Sequence, residues 1–146
     1  MKKLLETSNQ FTLAFARLTL GIVFFAHGAQ KLLGWFGGSG FTATVGAFGK
    51  MGMPLAIAYF AIFVEFFGGL SMIFGLLSRL AGLGIAAEMC GAIATVHFRN
   101  GFFMNWYGLQ KGEGFEYHLL AIAICVLIMV RGAGALSLDR LIAPKT

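Results

Sequence analysis

Four long apolar stretches are the feature that most constrains the fold of this 146-residue chain. They run over residues 11–33, 55–77, 80–98 and 115–130. An α-helix needs about 20 predominantly apolar residues to cross the core of a bilayer. The stretches therefore predict an all-α integral membrane protein, a four-helix transmembrane bundle that forms a single domain over residues 1–146.

The composition agrees with a lipid environment, because only 12% of the residues are charged. Soluble domains average about 25%. The eleven lysines and arginines are spread along the chain, with no run longer than Lys2-Lys3, so a nucleic-acid partner is not predicted. Cys90 and Cys125 both lie in apolar stretches and are interpreted as packing residues.

Cations outside the stretches indicate the orientation. Ser78 and Arg79 leave almost no loop between the second and third stretches, which predicts a tight antiparallel hairpin on the side of both termini. That side carries Lys2, Lys3, Arg79, Arg131, Arg140 and Lys145. The other side carries Lys31, Lys50, Arg99 and Lys111. Six against four favours both termini in the cytoplasm, in a multi-pass protein of the cytoplasmic (inner) membrane. The run after the fourth stretch, residues 132–136, either extends the helix or folds back.

Ionisable residues inside a span are costly, so they usually face the bundle and have partners. In the first stretch Arg17, Gly21, Gly28 and Lys31 share one face, and the glycines allow a neighbouring helix to approach closely. The next two stretches repeat one pattern, in which a glutamate sits among small residues. Its two copies are Ala58, Ala61, Glu65, Gly68, Gly69 and Ala81, Gly84, Glu88, Gly91, Ala92.

Arg17, Glu65 and Glu88 are therefore expected at similar depth and within reach of one another. In one interpretation they form a buried ion network that fixes helix register. In the other, two neighbouring carboxylates cannot both ionise easily and hold an exchangeable proton. Such a proton site suits quinone reduction or proton-coupled transport.

A second cluster is predicted near the non-cytoplasmic interface, around His27, Lys31, His97 and His118. Glu116 belongs to it, and Arg99 and Glu113 lie at its rim. Imidazole can bind a transition metal or donate to a carbonyl, so these residues could contact a quinone headgroup or a small anion. No His-x-x-His or Cys-x-x-Cys-His spacing favours a metal or haem, and no flavin, nicotinamide or hydrolase motif is present.

Several of these residues fall into loose motifs with a specific joint spacing. In chain order the motifs are Arg17-x-x-x-Gly21, His27-Gly28-x-x-Lys31-x-x-Gly34, Glu65-x-x-Gly68-Gly69, Gly75-x-x-x-Arg79, Glu88-Met89, His97-x-x-x-Gly101-Phe102-Phe103, Gly114-Phe115-Glu116-Tyr117 and Gly132-x-Gly134-x-x-Ser137-Leu138-Asp139. Together they cover about residues 17–141, and the chain resembles the DoxX family.

The resemblance implies a small four-span protein of the prokaryotic cytoplasmic membrane. Relatives in that family include the membrane subunit of an archaeal thiosulfate:quinone oxidoreductase, and others are linked to thiol or oxidative stress. By analogy, electrons would pass from a sulfur- or thiol-linked soluble or peripheral partner to membrane quinone. Many members have no assigned activity, so the resemblance leaves open whether the chain is an enzyme.

The leading hypothesis is a quinone-interacting membrane subunit of an oxidoreductase. Glu65, Glu88 and Arg17 would handle protons, while the second cluster would hold the quinone. One alternative is a small transporter or channel for a sulfur-containing or other anion, which would require a homo-oligomer. Another is a non-enzymatic anchor that recruits a soluble redox enzyme through residues 99–114.

Overall fold

The computed structural model describes residues 2–143, and all regular structure in that range is helical. The helices are α1 (Lys2–Leu5), α2 (Phe11–Leu33), α3 (Gly40–Lys50), α4 (Leu55–Phe74), α5 (Ser78–Asn100), α6 (Glu116–Arg131) and α7 (Leu138–Ile142). Three of them, α2, α4 and α5, are long and apolar enough to cross a membrane. The all-α prediction is confirmed. Of the terminal cations in the orientation argument, Lys145 lies outside the described residues.

Large apolar side chains lie on the outer surface of the bundle as well as in its core. Phe15 is 74% exposed, Leu83 56% and Leu120 68%. Helices that are apolar on all faces are typical of membrane spans. The inner faces of α2, α4, α5 and α6 meet in a core of Leu20, Phe24, Met72, Ile85, Cys125 and Ile128.

Glycines on α2 allow α4 to pack against it at very short range. A Cβ atom on Gly28 would lie 2.3 Å from the Phe66 nitrogen, and one on Gly21 would lie 2.8 Å from the Ile73 nitrogen. Such distances are too short for any side chain, so both positions require glycine. The predicted close approach at the two glycines of the first stretch is confirmed.

The helices of the second and third apolar stretches, α4 and α5, have different bounds from those predicted, because a turn separates them. α4 ends at Phe74, three residues before the predicted end, and Gly75 follows in the left-handed region with φ 65°. The hairpin turn therefore lies at residues 75–77, and α5 begins at Ser78. α5 then continues through a π turn (Ile93–His97) and a 3-10 turn (Phe98–Asn100).

Asp139 explains why α5 begins at Ser78. Its carboxylate accepts hydrogen bonds from the backbone nitrogens of Leu77 at 2.6 Å and Ser78 at 2.9 Å. The first N–H groups of a helix have no partner within the helix, and a carboxylate there also interacts favourably with the helix dipole. The segment around α7 is thereby held against the α4–α5 hairpin.

The run after α6 folds back into the protein instead of extending the helix. α6 has 16 residues, which gives a length of about 24 Å at about 1.5 Å per residue. In the following run Ala133 and Ala135 are each only 1% exposed. Their backbone carbonyls lie away from water and need donors inside the protein.

The apolar stretches leave residues 34–54 as a connection between the first two spans, but this connection includes the eleven-residue helix α3. A left-handed residue, Gly34 with φ 74°, ends α2, and a short 3-10 turn (Trp35–Gly37) leads towards α3. The residues that follow α3 reach the cavity described below, so this segment contributes a wall to the candidate site.

Candidate functional site

A cavity of about 830 Å³ opens between α2, α4, α5 and the first turn of α6. Most of its lining is apolar, with Phe24, Phe60 and Met89 among the wall residues. Six of the seven predicted site residues line it: His27, Lys31, Glu65, Glu88, His97 and His118. The sequence suggested two separate clusters, one of glutamates and one of histidines. The structure joins them in one cavity.

Glu65 enters this cavity from a π turn, Val64–Gly68, within α4. The adjacent Phe66 backbone packs directly against Gly28 of α2, so the position of the turn is fixed by contact with that helix. Lys31, one turn further along α2, donates to Glu65 Oε1 at 2.6 Å and also contacts Oε2. Glu65 is buried, whereas Lys31 is about one-quarter exposed.

Glu88 lies beside this ion pair on α5. It lines the same cavity as Glu65 and Lys31. Glu88 is only 9% exposed, and its Oε2 atom is buried without a hydrogen-bond partner among the described residues. The two glutamates, which were predicted to lie close together, therefore line one cavity.

His97 and His118 form a pair at the other side of the cavity. Their ring centroids are 4.1 Å apart, with 43° between the ring planes. His97 Nδ1 lies 2.9 Å from the Glu113 carbonyl oxygen. His118 is 6% exposed, and its Nδ1 atom is buried with no hydrogen-bond partner within residues 2–143. The fourth residue of the predicted cluster, His27, is exposed on the cavity wall.

Arg17 does not join the glutamates. Its guanidinium is fully buried at the opposite end of the bundle, where every hydrogen bond it makes goes to a backbone carbonyl. Nε donates to Ala133 at 2.9 Å, and the two terminal nitrogens donate to Ile73 and Leu136, each at 2.9 Å. The expected contact between Arg17 and Glu65 or Glu88 is wrong. The carbonyls at the end of α4 and in the folded-back run attract the guanidinium instead.

The loop between α5 and α6 forms the rim of the cavity. Glu116 accepts hydrogen bonds from the Met104 backbone nitrogen at 2.9 Å and from Trp106 Nε1 at 3.1 Å. Glu113 accepts from the Asn105 backbone nitrogen at 2.7 Å. Glu113 and Met104 also line the cavity. The two rim glutamates therefore hold a folded loop, and Glu116 is not itself part of the cavity lining.

Two features of the site have no clear signal in the sequence. Tyr117 lines the cavity next to His118, although the sequence gives no sign of this beyond its place in the motif Gly114-Phe115-Glu116-Tyr117. The π turns that contain Glu65 and His97 also lack a local pattern, although such turns occur frequently at functional sites.

Neither the cysteines nor a cluster of metal ligands adds to this site. Cys90 is exposed and Cys125 is buried, and both are free thiols. The interpretation of Cys90 as a buried packing residue is wrong, because its side chain lies on the outer face of α5. Within residues 2–143, no group of three or more His, Cys, Asp or Glu side chains is placed to hold a metal ion.

Comparison with known proteins identifies the class. The family model DoxX matches residues 12–98, which contain α2 apart from Phe11, all of α3 and α4, and most of α5. The chain belongs to the DoxX family and is a membrane protein with several apolar helices.

Relatives match over most of their length. The chain is 34% identical to "Putative oxidoreductase CatD" of Bacillus subtilis, across 84% of this chain and 81% of that protein. It is 30% identical to "Inner membrane protein YqjF" of Escherichia coli, across 89% and 91%. A Haemophilus influenzae protein is 29% identical across 92% and 93%. No solved structure matches the chain significantly.

Proposed function

We propose that the protein is the quinone-binding membrane subunit of an oxidoreductase system that takes electrons from a thiol-linked partner. The observation that carries this proposal is a pair of buried atoms, Glu88 Oε2 and His118 Nδ1, in an otherwise mostly apolar cavity, neither of which has a hydrogen-bond partner in the part of the chain that the structure describes. Buried polar atoms normally have partners. A ligand with a flat apolar body and polar oxygen atoms would supply them.

The cavity fits the shape and chemistry of a quinone headgroup. Its volume of about 830 Å³ lies within the range of about 300–1,000 Å³ that small-molecule sites occupy. Apolar side chains, including Phe24, Phe60 and Met89, can pack against the two ring faces. A protonated Glu88 or a suitable tautomer of His118 can donate to the carbonyl oxygens.

Quinone reduction consumes two electrons and two protons, and the carboxyl pair can supply protons. Glu65 and Glu88 hold a proton between them when both face the same small volume. Lys31 stabilises the carboxylate that remains after a proton leaves. Oxidation of two thiols to a disulfide on the partner releases the two electrons and two protons that balance the reaction. Arg17 takes no direct part in this scheme, because it lies at the other end of the bundle.

The charges of the cavity favour a neutral ligand over an anion. Lys31 is the one lysine or arginine among the lining residues that the structure describes, and it is already paired with Glu65. Glu88 adds a second carboxyl beside that pair. An anion would meet carboxylates and no free lysine or arginine. This arrangement supports the redox subunit over the anion transporter.

We place the protein in the inner membrane with four spans, α6 being the fourth, and both termini in the cytoplasm. The name of the Escherichia coli relative supports the inner membrane. The cations near the termini support the orientation, because Arg79 donates to the Glu6 carbonyl and Arg140 contacts Asn9 at the same end of the bundle. Because Lys31 is paired with Glu65, it does not add a free positive charge to the non-cytoplasmic side.

The proposal is tested with membranes from a strain that lacks the chromosomal copy and carries the wild-type chain or a variant. The measured quantity is thiol-dependent reduction of added quinone. We expect Glu88→Gln and Glu65→Gln to lower the rate by about a hundredfold or more, in the range of lost acid–base catalysis, with normal amounts of protein in the membrane. Arg99→Gln, an exposed change, is the matched control. Unchanged rates in both glutamine variants would refute the proposal.

A further inference from the structure

A second depression lies between α4 and α5, on the side that faces away from α2. Its volume is about 660 Å³, and small residues such as Gly68, Ala81 and Gly84 form its floor. Val64 and Phe67 rise at its sides. All the residues that line it, apart from Ser71, are apolar or glycine. Because α4 and α5 are membrane-spanning in length and composition, this groove faces the hydrocarbon region.

The groove adjoins the candidate site. Phe60 and Ala87 line both the groove and the 830 Å³ cavity, so these two side chains form the boundary between them. Both are exposed. One ligand can therefore place a polar end beside Glu88 in the cavity and an apolar chain along the groove.

We infer that the α4–α5 groove binds the prenyl tail of the quinone whose headgroup occupies the cavity. This inference rests on the proposed function and extends it from a headgroup to a long-chain prenylated quinone. An aliphatic tail gains stability in proportion to the apolar area it buries. The glycine and alanine floor leaves room for the tail, as small residues otherwise do for a neighbouring helix.

Two glycines of α5, Gly82 and Gly84, have different surroundings. Gly82 faces inward, where an added Cβ would lie 3.3 Å from the Cys125 carbonyl oxygen. Gly84 faces the groove, where an added Cβ would lie 3.5 Å from the nearest Val64 methyl group. The first distance reflects helix packing within the bundle. The second is an ordinary contact, so a larger side chain at Gly84 can be accommodated and would fill the groove.

The test compares two quinones on the purified chain in lipid nanodiscs. One is a benzoquinone with only methyl and methoxy substituents, and the other has the same headgroup with a decyl chain. Dissociation constants are measured for wild type, Gly84→Leu and Ala81→Leu, because both residues line the groove and not the headgroup cavity. Ala123→Leu, on the exposed face of α6, is the matched control. Because each variant is compared with wild type for the same quinone, partitioning of the decyl compound into lipid cancels.

We expect both groove variants to weaken decyl-quinone binding by about tenfold, a change typical of losing buried methylene contacts, with no effect on the tail-less quinone. Equal affinities of wild type and variants for the decyl compound would overturn the inference and assign the groove to lipid chains. A change of oligomeric state in the groove variants would also overturn it and indicate a second copy of the chain. If neither quinone binds wild type, the proposed function itself fails.

Discussion

Two pairs of buried ionisable side chains at opposite ends of the bundle differ in their partners. At the end that contains Arg17 and Asp139, which we call the closed end, both side chains form hydrogen bonds with backbone atoms. At the cavity end, Glu88 and His118 each leave a buried atom without a hydrogen-bond partner among the described residues. Ser78 Oγ and Arg79 Nε at the closed end are also buried without such a partner, so the contrast applies to these two pairs and not to every polar group of the two ends. Buried ionisable residues in a membrane protein are therefore not functional by burial alone, and the state of their partners separates the two cases.

Among the variants that test this contrast, Arg17→Met is expected to have the largest effect on stability. The change leaves several buried carbonyls without a donor, including those of Ile73, Ala133 and Leu136. We expect a loss of about 3–5 kcal/mol, as when one partner of a buried charged network is removed. The protein should fail to accumulate in membranes, as measured by immunoblot. The exposed Arg99→Met is the control. Normal accumulation of Arg17→Met would mean that the closed end does not need its guanidinium.

A second test uses two glycines that differ in the space around them. Gly28→Ala places a Cβ at 2.3 Å from the Phe66 nitrogen, whereas nothing lies within 4 Å of a Cβ on Gly91. We expect Gly28→Ala to destabilise the protein by about 1–3 kcal/mol through overpacking and to disturb the Lys31–Glu65 pair. Gly91→Ala should be neutral or slightly stabilising. Thermal unfolding in detergent measures both, and equal melting temperatures would contradict the close packing of α2 on α4.

The helices and the close packing at Gly28 could be predicted from the sequence because both depend on local composition. The apolar stretches predicted α2 with both its bounds, and the glycine spacing predicted that a neighbouring helix approaches it closely. Arg17 shows the limit of this reasoning. A buried cation was expected to pair with a carboxylate, but its Nε partner is the carbonyl of Ala133, which lies 116 positions away in the chain. Because every residue has a backbone carbonyl, residue identity does not show which of them accepts a hydrogen bond from Arg17.

The candidate site shows the same division between local and distant information. Glu65 and Glu88 stood out because each is an acidic residue within an apolar stretch, and the hairpin placed them at similar depth. The ring contact between His97 and His118 depends on how α6 packs against α5, which no residue spacing predicts. The π turn around Glu65 packs its Phe66 backbone against Gly28, and this contact between helices also has no local pattern in the sequence.

A smaller effect is expected for Asp139→Asn at the closed end. The amide keeps one acceptor for the backbone nitrogens of Leu77 and Ser78 but loses the second acceptor and the negative charge. We expect a loss of about 1–2 kcal/mol, in the range of helix N-terminal capping. The melting temperature in detergent should fall while thiol-dependent quinone reduction per folded molecule stays unchanged. A loss of activity without a loss of stability would connect the closed end to the reaction.

The smallest change in stability is expected for Glu88→Gln at the cavity end. Glu88 Oε2 has no hydrogen-bond partner among the described residues, and the side-chain amide has nearly the same shape, so the substitution removes no hydrogen bond of that atom. The melting temperature should stay equal or rise, corresponding to less than about 1 kcal/mol. Thermal unfolding in detergent is compared with that of Arg17→Met under the same conditions. If Glu88→Gln is as destabilising as Arg17→Met, the carboxyl pair is a structural network, and the contrast between the two ends disappears. If the melting temperature of Glu88→Gln is unchanged while its quinone reduction is lost, the Glu88 carboxyl serves the reaction and not the stability of the fold.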